Sequence, residues 1–138
     1  MSQTPVTSSF IEHLGLQVTD MRDGRAELWL EIRPCHLNSG GVLHGGVIGS
    51  LVDSAAGAAV YSTLARGERA VTTDLHLTCM RNVGSGAVQA TAELTYRGRR
   101  FLNAAVRVCS GDQLLATGTV SMLKVVRAGK PPAGAGSS

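Results

Sequence analysis

The sequence predicts an α+β domain in which a curved antiparallel sheet wraps around one long central helix. Most of the chain alternates apolar and polar residues with the period of two that is typical of β-strands. Short turns containing glycine separate these runs, so neighbouring strands are expected to be antiparallel. The segment 46–65 lacks the alternation and is apolar on nearly every side, which is the pattern of a buried helix.

The chain before the long helix predicts a helical turn and a strand pair. Residues 1–9 are polar and are expected to be flexible, and a short helix is expected from about Ser9 to Leu14, where Gly15 ends it. Residues 16–21 and 25–33 then form a hairpin around a turn at Asp23-Gly24.

Four further strands are expected after the helix, over residues 71–80, 87–96, 101–109 and 113–123. In the first of them, alternate residues share one face: Val71, Thr73, Leu75, Leu77 and Cys79. The final stretch, 127–138, is rich in proline, glycine and serine and is predicted to be disordered, which leaves 10–126 as the folded domain.

Composition limits the possible classes of function. A chain of 138 residues suits one domain that can bury a core without disulfides or metals. The net charge of +3 is spread along the chain, and only 4% of residues are aromatic. Nucleic-acid binding is therefore not expected, because it usually needs a basic stripe with stacking rings.

The cysteines, the histidines and the hydropathy pattern point to a soluble cytoplasmic protein without a metal. The three cysteines are widely spaced and odd in number, which favours reduced thiols over a disulfide framework. The spacings of the four histidines match no common zinc signature. The N-terminus does not resemble a signal peptide, and no apolar run reaches the length of about 18 residues that a membrane helix needs.

Asp53 is the charged residue that the predicted helix does not need. It is the only charged residue between Gly46 and Ala65. Burying an unpaired carboxylate costs several kcal/mol or shifts its pKa. An exposed position, or an arginine partner from elsewhere in the chain, would explain Asp53 without any function. A functional carboxylate is the alternative.

The helix is preceded by His44-Gly45-Gly46, and this start has two interpretations. The first amides of a helix have no intrahelical acceptor, and the helix dipole favours negative charge there. A glycine pair at this position is therefore a candidate oxyanion hole, since ligand atoms can approach the backbone closely. A tight turn that requires positive φ would explain the same glycines, and Asn38 by itself fits a turn.

Together these residues resemble a known family. The pattern Asn38-x5-His44-Gly45-Gly46-Val47-x5-Asp53 resembles the hotdog-fold thioesterases of the phenylacetyl-CoA and 4-hydroxybenzoyl-CoA type. The resemblance covers roughly residues 10–125 and includes the strand order, the central helix and the later strand Val71-Thr72-Thr73-Asp74-Leu75. It implies a hotdog fold and hydrolysis of acyl-CoA thioesters to free acid and CoA.

The resemblance also implies roles for individual residues. The helical acid of the family acts as general base toward water or as nucleophile, and this role falls to Asp53. The amide of Gly45 would polarise the thioester carbonyl, and Asn38 would assist the carbonyl or the water. His44 would shape the loop or contact the substrate. A hydroxyl on the following strand would hold the water, and Thr72 is expected there, with Thr73 as the alternative.

Further implications concern the ligand and the assembly. Gly46 and Val47 are expected beside the substrate, and the CoA phosphates would be held by basic residues that the family does not define; the candidates are Arg81, Arg97, Arg99, Arg100 and Lys124. No cofactor is expected, because CoA is part of the substrate. The resemblance implies a homodimer at minimum, and more specifically a homotetramer, with active sites between subunits.

Two other functions remain open at this point. A hotdog enoyl-CoA hydratase or dehydratase would use a histidine together with an acid, and both residue types are present as His44 and Asp53. A non-catalytic acyl-CoA-binding module would use the same fold without turnover.

Overall fold

The computed structural model describes residues 8–126, and over this range it confirms the predicted α+β class. Six antiparallel strands form one sheet that packs against one long helix. The elements are α1 (Ser9–Leu14), β1 (Gln17–Arg22), β2 (Arg25–Glu31), a 3-10 turn (Pro34–His36), α2 (Gly45–Tyr61), β3 (Glu68–Cys79), β4 (Ala87–Arg97), β5 (Phe101–Ser110) and β6 (Gln113–Val126).

The short helix α1 begins and ends as the sequence predicts. The Ser8 hydroxyl caps it by accepting the Ile11 N–H at 3.2 Å, and Gly15 ends it with φ +82°. Ser8 and Ser9 therefore belong to a structured segment. The rest of the stretch predicted to be flexible, and the whole predicted tail 127–138, lie outside the described residues.

The buried His36 anchors α1 to the loop that precedes α2. Its Nδ1 accepts the Arg33 N–H at 2.9 Å, so Nε2 carries the hydrogen and donates it to the Leu14 carbonyl at 2.8 Å. The His36 carbonyl accepts the His44 N–H, also at 2.8 Å. One imidazole and its backbone thus hold the end of α1 close to the start of α2.

The sheet order is β1-β2-β4-β5-β6-β3, so β3 lies at an edge and pairs only with β6 among the described strands. A bulge between Thr72 and Asp74 interrupts this pairing. Because a bulge shifts the alternation of side chains by one residue, the predicted face of β3 is broken at this point. Thr72 and Leu75 line the same cleft, while the Val71 side chain is 51% exposed.

The helix α2 starts one residue before the predicted boundary and ends at Tyr61, four residues short of the prediction. The hydroxyls of Ser62 and Thr63 donate to the carbonyls of Ala59 and Val60 at 2.7 Å. These carbonyls are therefore satisfied by side chains and do not need the backbone N–H groups of a further helical turn. Nine of its residues are buried against the sheet: Val47, Ile48, Leu51, Val52, Ala55, Ala56, Ala58, Ala59 and Val60.

The distance between α2 and the sheet depends on Gly118 of β6. A Cβ at this position would lie 2.6 Å from Val52 Cγ1 and 2.9 Å from the His76 carbonyl oxygen. Neither the branched Val52 nor a strand carbonyl can move away cheaply. The missing side chain therefore lets α2 approach β3 and β6 at the residue immediately before Asp53.

Replacing Gly118 with alanine should lower the free energy of unfolding by about 2 kcal/mol, because the new methyl group overpacks the contact between helix and sheet. Urea denaturation measures this change. Thr119→Ala, at the exposed neighbouring position of the same strand, is the matched control and should change stability by less than about 0.5 kcal/mol. Equal stability of Gly118→Ala and the parent protein would contradict the close approach.

Candidate active site

Asp53 lies on the side of α2 that faces the start of β3, where it meets a hydroxyl. The Thr72 hydroxyl donates to Asp53 Oδ1 at 2.7 Å. The neighbouring Thr73 hydroxyl instead donates to the Ser121 carbonyl at 3.2 Å. Of the two threonines left open by the sequence, Thr72 is therefore the one at the carboxylate, and the bulge in β3 is what turns it inward.

The carboxylate opens into a cleft of about 490 Å³. The lining comes from α1, α2, β3 and β6 and consists of Ser8, Phe10, Ile11, Gly46, Gly49, Ser50, Asp53, Ser54, Gly57, Thr72, Leu75 and Met122. Asp53 is the one ionisable side chain that the described residues contribute to this lining. The ion pairs found within residues 8–126 do not include it, so no arginine among them neutralises the carboxylate.

The start of α2 is capped by His44, and this cap separates the roles of the two glycine amides. His44 Nδ1 accepts the Gly46 N–H at 2.8 Å, so a neutral ring carries its hydrogen on Nε2. Gly45 precedes the first intrahelical hydrogen bond, and its N–H has no acceptor within residues 8–126. Gly45 is thus the free donor at the positive end of the helix dipole.

The glycine pair is not explained by backbone strain. Neither Gly45 nor Gly46 is among the glycines with positive φ, whereas Gly41 in the preceding loop has φ +83°. A Cβ added at Gly45 would meet no atom of the described residues within 4 Å. The tight-turn interpretation therefore applies to Gly41, and the open surface at Gly45 leaves its amide accessible.

Asn38 closes the loop before α2. Its Oδ1 accepts the N–H groups of Gly40 at 2.8 Å and Val42 at 3.2 Å, and its backbone N–H donates to the Val42 carbonyl. The side-chain nitrogen of Asn38 donates to no residue in the range 8–126 and remains available as a donor. The loop conformation thus presents this NH₂ group at the surface near the start of α2.

Within one protomer the structure does not bring all the predicted site residues together. Gly45 and Asp53 are eight residues apart on one helix, which corresponds to about 12 Å along its axis. His44 and Gly45 therefore lie at the helix start, after the loop that Asn38 closes, whereas Asp53 and Thr72 form a separate group. Gly46 lines the Asp53 cleft, but the Val47 side chain is buried in the core and is not accessible to a ligand.

The four predicted phosphate-binding arginines lie in three places. Arg99 and Arg100 line a cavity of about 520 Å³ together with Lys124 and Glu68. Arg97 lines a different cavity, and its guanidinium donates to the Thr63 carbonyl at 3.3 Å. Arg81 follows the opposite end of β3. The four arginines therefore do not form one cluster within a single protomer.

In the first of these cavities the lysine is already paired. Lys124 Nζ lies 3.5 Å from Glu68 Oε1. The Ala65 N–H, and then the charge of Lys124, hold the pKa of the Glu68 carboxyl below its usual value, so this partner stays ionised at neutral pH. Arg99 and Arg100 are left as the cations of this cavity that no carboxylate within residues 8–126 neutralises.

Most of the residues that line the cleft were not assigned to it from the sequence. Ser50 and Ser54 of α2 both line it, and the Ser50 hydroxyl also donates to the Gly46 carbonyl at 2.8 Å. Phe10 reaches the cleft from α1. No periodicity signal in the sequence relates a six-residue helix to a residue more than 40 positions later.

The described part of the chain contains neither a cluster of metal-ligating side chains nor a membrane-spanning helix. No group of three or more His, Cys, Asp or Glu side chains there could hold a metal ion. None of the helices there is long and apolar enough to cross a membrane.

Comparison with known proteins identifies the family. Residues 40–117 match the model of the thioesterase superfamily. The chain is 34% identical over 121 residues to a Mycobacterium tuberculosis protein named as a proposed esterase, and this match covers 85% of the chain and 86% of that protein. The chain therefore belongs to the thioesterase superfamily, and the predicted hotdog fold is confirmed.

Solved structures agree with this membership. A conserved protein of Pseudomonas aeruginosa has a TM-score of 0.84 and 33% identity, and the match covers 86% of this chain and 95% of that one. A variant of the phenylacetic acid degradation protein PaaI of Thermus thermophilus has a TM-score of 0.78 and 33% identity, with 84% and 98% covered. The thioesterase family model and the relative named as an esterase support thioester hydrolysis as the class of reaction.

The cap at the start of α2 predicts that two substitutions of His44 differ in their effect on folding stability. His44→Ala should cost about 1 kcal/mol of folding stability, because the Gly46 amide loses its acceptor. His44→Asn should stay within about 0.5 kcal/mol of the parent protein, because asparagine is a good N-cap residue. Thermal unfolding measures both. An equal loss in the two variants would show that His44 stabilises the fold through something other than the cap.

Proposed function

We propose that this protein hydrolyses acyl-CoA thioesters to a free acid and CoA, as enzymes of the phenylacetyl-CoA and 4-hydroxybenzoyl-CoA thioesterase type do. The observation that carries the proposal is the Asp53 carboxylate, which is held by the Thr72 hydroxyl in a cleft to which residues 8–126 contribute no other ionisable side chain. A carboxylate without a cation is available to accept a proton from water. Membership in the thioesterase superfamily supports the same reaction.

The reaction needs two copies of the chain. The water that Asp53 activates must attack the same carbonyl group whose oxygen accepts the Gly45 N–H. The Asp53 carboxylate and the Gly45 amide therefore have to lie within a few ångströms of each other. The same helix separates them by about 12 Å. We therefore place Asp53 and Thr72 of one chain opposite Asn38, His44 and Gly45 of a second chain.

The free edge of β3 supports this assembly. β3 has twelve residues and pairs only with β6 among the described strands, so a row of backbone donors and acceptors remains open along its other side. Antiparallel pairing of this edge with a second β3 would place the helix start of one chain on the side of Thr72 of the other. Isologous pairing of this kind produces a symmetric dimer.

A tetramer would join two such dimers. Apolar side chains are exposed on the strands at one end of the sheet, among them Val71 at 51%, Phe101 at 43% and Val125 at 46%. Exposed apolar side chains grouped in this way favour burial against another protein surface. The predicted homotetramer belongs to this proposal.

The predicted cytoplasmic location belongs to the proposal as well. Free cysteines, two of them exposed, fit a reducing compartment.

In the proposed mechanism, the thioester carbonyl oxygen accepts the Gly45 N–H of the second chain. Thr72 occupies Asp53 Oδ1, which leaves Oδ2 to accept a proton from the attacking water. The water oxygen bonds to the carbonyl carbon, and the resulting oxyanion is stabilised by the amide and the helix dipole. A donor of this kind typically contributes about 100- to 1000-fold to turnover. The C–S bond then breaks, and the thiolate leaves without needing a strong acid.

The remaining predicted residues have supporting roles. His44 would hold the Gly46 amide and orient the helix start, and its Nε2–H and the free Asn38 NH₂ could donate to the carbonyl or to the water. Arg99 and Arg100 are the best placed of the arginines for the CoA phosphates, because they share a cavity and lack an acidic partner within residues 8–126. Arg81 and Arg97 would need a second protomer to reach the same ligand.

Asp53→Asn should lower acyl-CoA hydrolysis by roughly 100- to 10,000-fold, because the amide cannot accept the proton from water. The measurement is release of free thiol from a panel of acyl-CoA thioesters. Asp112→Asn, at the exposed turn between β5 and β6, is the matched control and should keep the parent rate.

Unchanged turnover in folded Asp53→Asn would refute the role of this residue. Loss of double-bond absorbance from an enoyl-CoA without thiol release would instead favour a hydratase. Tight binding of acyl-CoA without any turnover would favour a binding module.

A further inference from the structure

The helix α2 carries a glycine one turn before Asp53 and another one turn after it. Gly49 and Gly57 are the i−4 and i+4 neighbours of Asp53, so all three share one face of the helix. Both glycines line the Asp53 cleft. The surface of α2 on either side of the carboxylate is therefore bare backbone.

The fold itself does not require these glycines. Among residues 8–126, a Cβ at Gly57 would meet nothing within 4 Å, and a Cβ at Gly49 would meet only Leu77 Cδ2 at an ordinary contact distance of 3.7 Å. Neither residue has positive φ. Glycine inside a helix is nevertheless less stable than alanine. The contrast with Gly118, where a Cβ would clash, indicates that the space at Gly57 is kept for something outside the chain.

The rest of the cleft shows what chemistry this space suits. Its walls away from α2 are mostly apolar: Phe10 and Ile11 from α1, and Leu75 and Met122 from the sheet, with Ser8 and Thr72 as the polar residues. The Phe10 ring is 57% exposed although α1 is anchored by the buried His36. An exposed ring on an anchored helix, opposite a bare helical surface, forms a slot for an apolar group. The uncompensated Asp53 carboxylate disfavours a second negative charge in the same slot.

We infer that the acyl group of the substrate lies in this slot, with Gly57 limiting its size and Phe10 covering it. The substrate class is then uncharged acyl thioesters that are bulkier than acetyl, and dicarboxylic acyl groups such as succinyl are disfavoured. This inference rests on the proposed function and names the acyl subsite of the same centre. Gly57 is the more informative glycine, because no atom of the described chain approaches its missing side chain.

The test compares kcat/KM for acetyl-CoA, hexanoyl-CoA, phenylacetyl-CoA and succinyl-CoA in the parent enzyme and in Gly57→Ala, Gly57→Leu and Phe10→Ala. The parent enzyme should prefer the hexanoyl and phenylacetyl thioesters. Gly57→Ala should lower the hexanoyl-to-acetyl ratio by about tenfold, and Gly57→Leu by about 100-fold, because each added carbon removes space from the acyl group. Gly57→Ala should also melt roughly 3 °C higher, since alanine favours the helix.

Phe10→Ala should lower the same ratio by about tenfold through loss of contact with the larger acyl groups. Tyr96→Ala is the matched control: its ring is 58% exposed but does not line the Asp53 cleft, so the ratio should not change. Gel filtration of each variant reports whether the assembly is intact.

The possible outcomes separate the inference from the proposed function. A uniform loss of activity toward all thioesters in Gly57→Leu, or a smaller oligomer, would assign the glycine to subunit packing and overturn the inference. Hydrolysis with the same acyl profile in every variant would overturn the inference and leave the proposed function standing. A parent enzyme that hydrolyses none of the thioesters would overturn both.

Discussion

The short distance between α2 and the sheet is the constraint on which the site depends. Val52 lies against Gly118, and the next residue of the helix extends its carboxylate 2.7 Å from the Thr72 hydroxyl. A side chain at Gly118 would push the helix away from β3 and β6 at this level. Close packing of small residues between helix and sheet is therefore what allows one carboxylate to reach a strand hydroxyl while the rest of α2 stays buried in the core.

The rigidity of the same helix separates the two groups to which the proposed mechanism gives catalytic roles. A helix of seventeen residues packed on a sheet does not bend enough to bring its own start to its middle, so the free Gly45 amide and the Asp53 carboxylate of one chain stay about 12 Å apart. In the proposed mechanism, each protomer thus has an oxyanion donor without a base beside it, and a base without a donor. The open edge of β3 offers a way for two copies to complete each other's sites.

Much of the fold could be predicted from the sequence, because its signals are local. The strands, the short helix with its Gly15 cap and the long apolar helix follow from periodicity and capping. Asp53 stood out because it is the only charge in its helix. The end of α2 at Tyr61 was predicted four residues late, since hydroxyl groups competing for the last carbonyls leave no periodic signal.

The features that could not be predicted depend on contacts between distant parts of the chain. The bulge in β3 decides that Thr72 rather than Thr73 faces Asp53, and a bulge is defined by its partner strand. The approach of Phe10 to the cleft depends on the anchoring of α1 by His36. Arg81 is separated from Arg99 and Arg100 because it follows one end of β3, while they share a cavity with Glu68 at the other end. The spacing of the strands along the sequence contains no signal for which arginines contact the same ligand.

The central claim, that one reaction centre uses the carboxylate of one chain and the helix start of another, can be tested by mixing two inactive variants. Gly45→Pro should fold, because proline is favoured at the first helical position, His44 is already extended and only an unpaired N–H is lost. Asp53→Asn supplies the other defect. Unfolded together and refolded at equal amounts, the two variants should recover about one quarter of the parent hydrolase activity, since half of the dimers contain one intact centre. A mixture no more active than its separate components would contradict a centre shared between two chains.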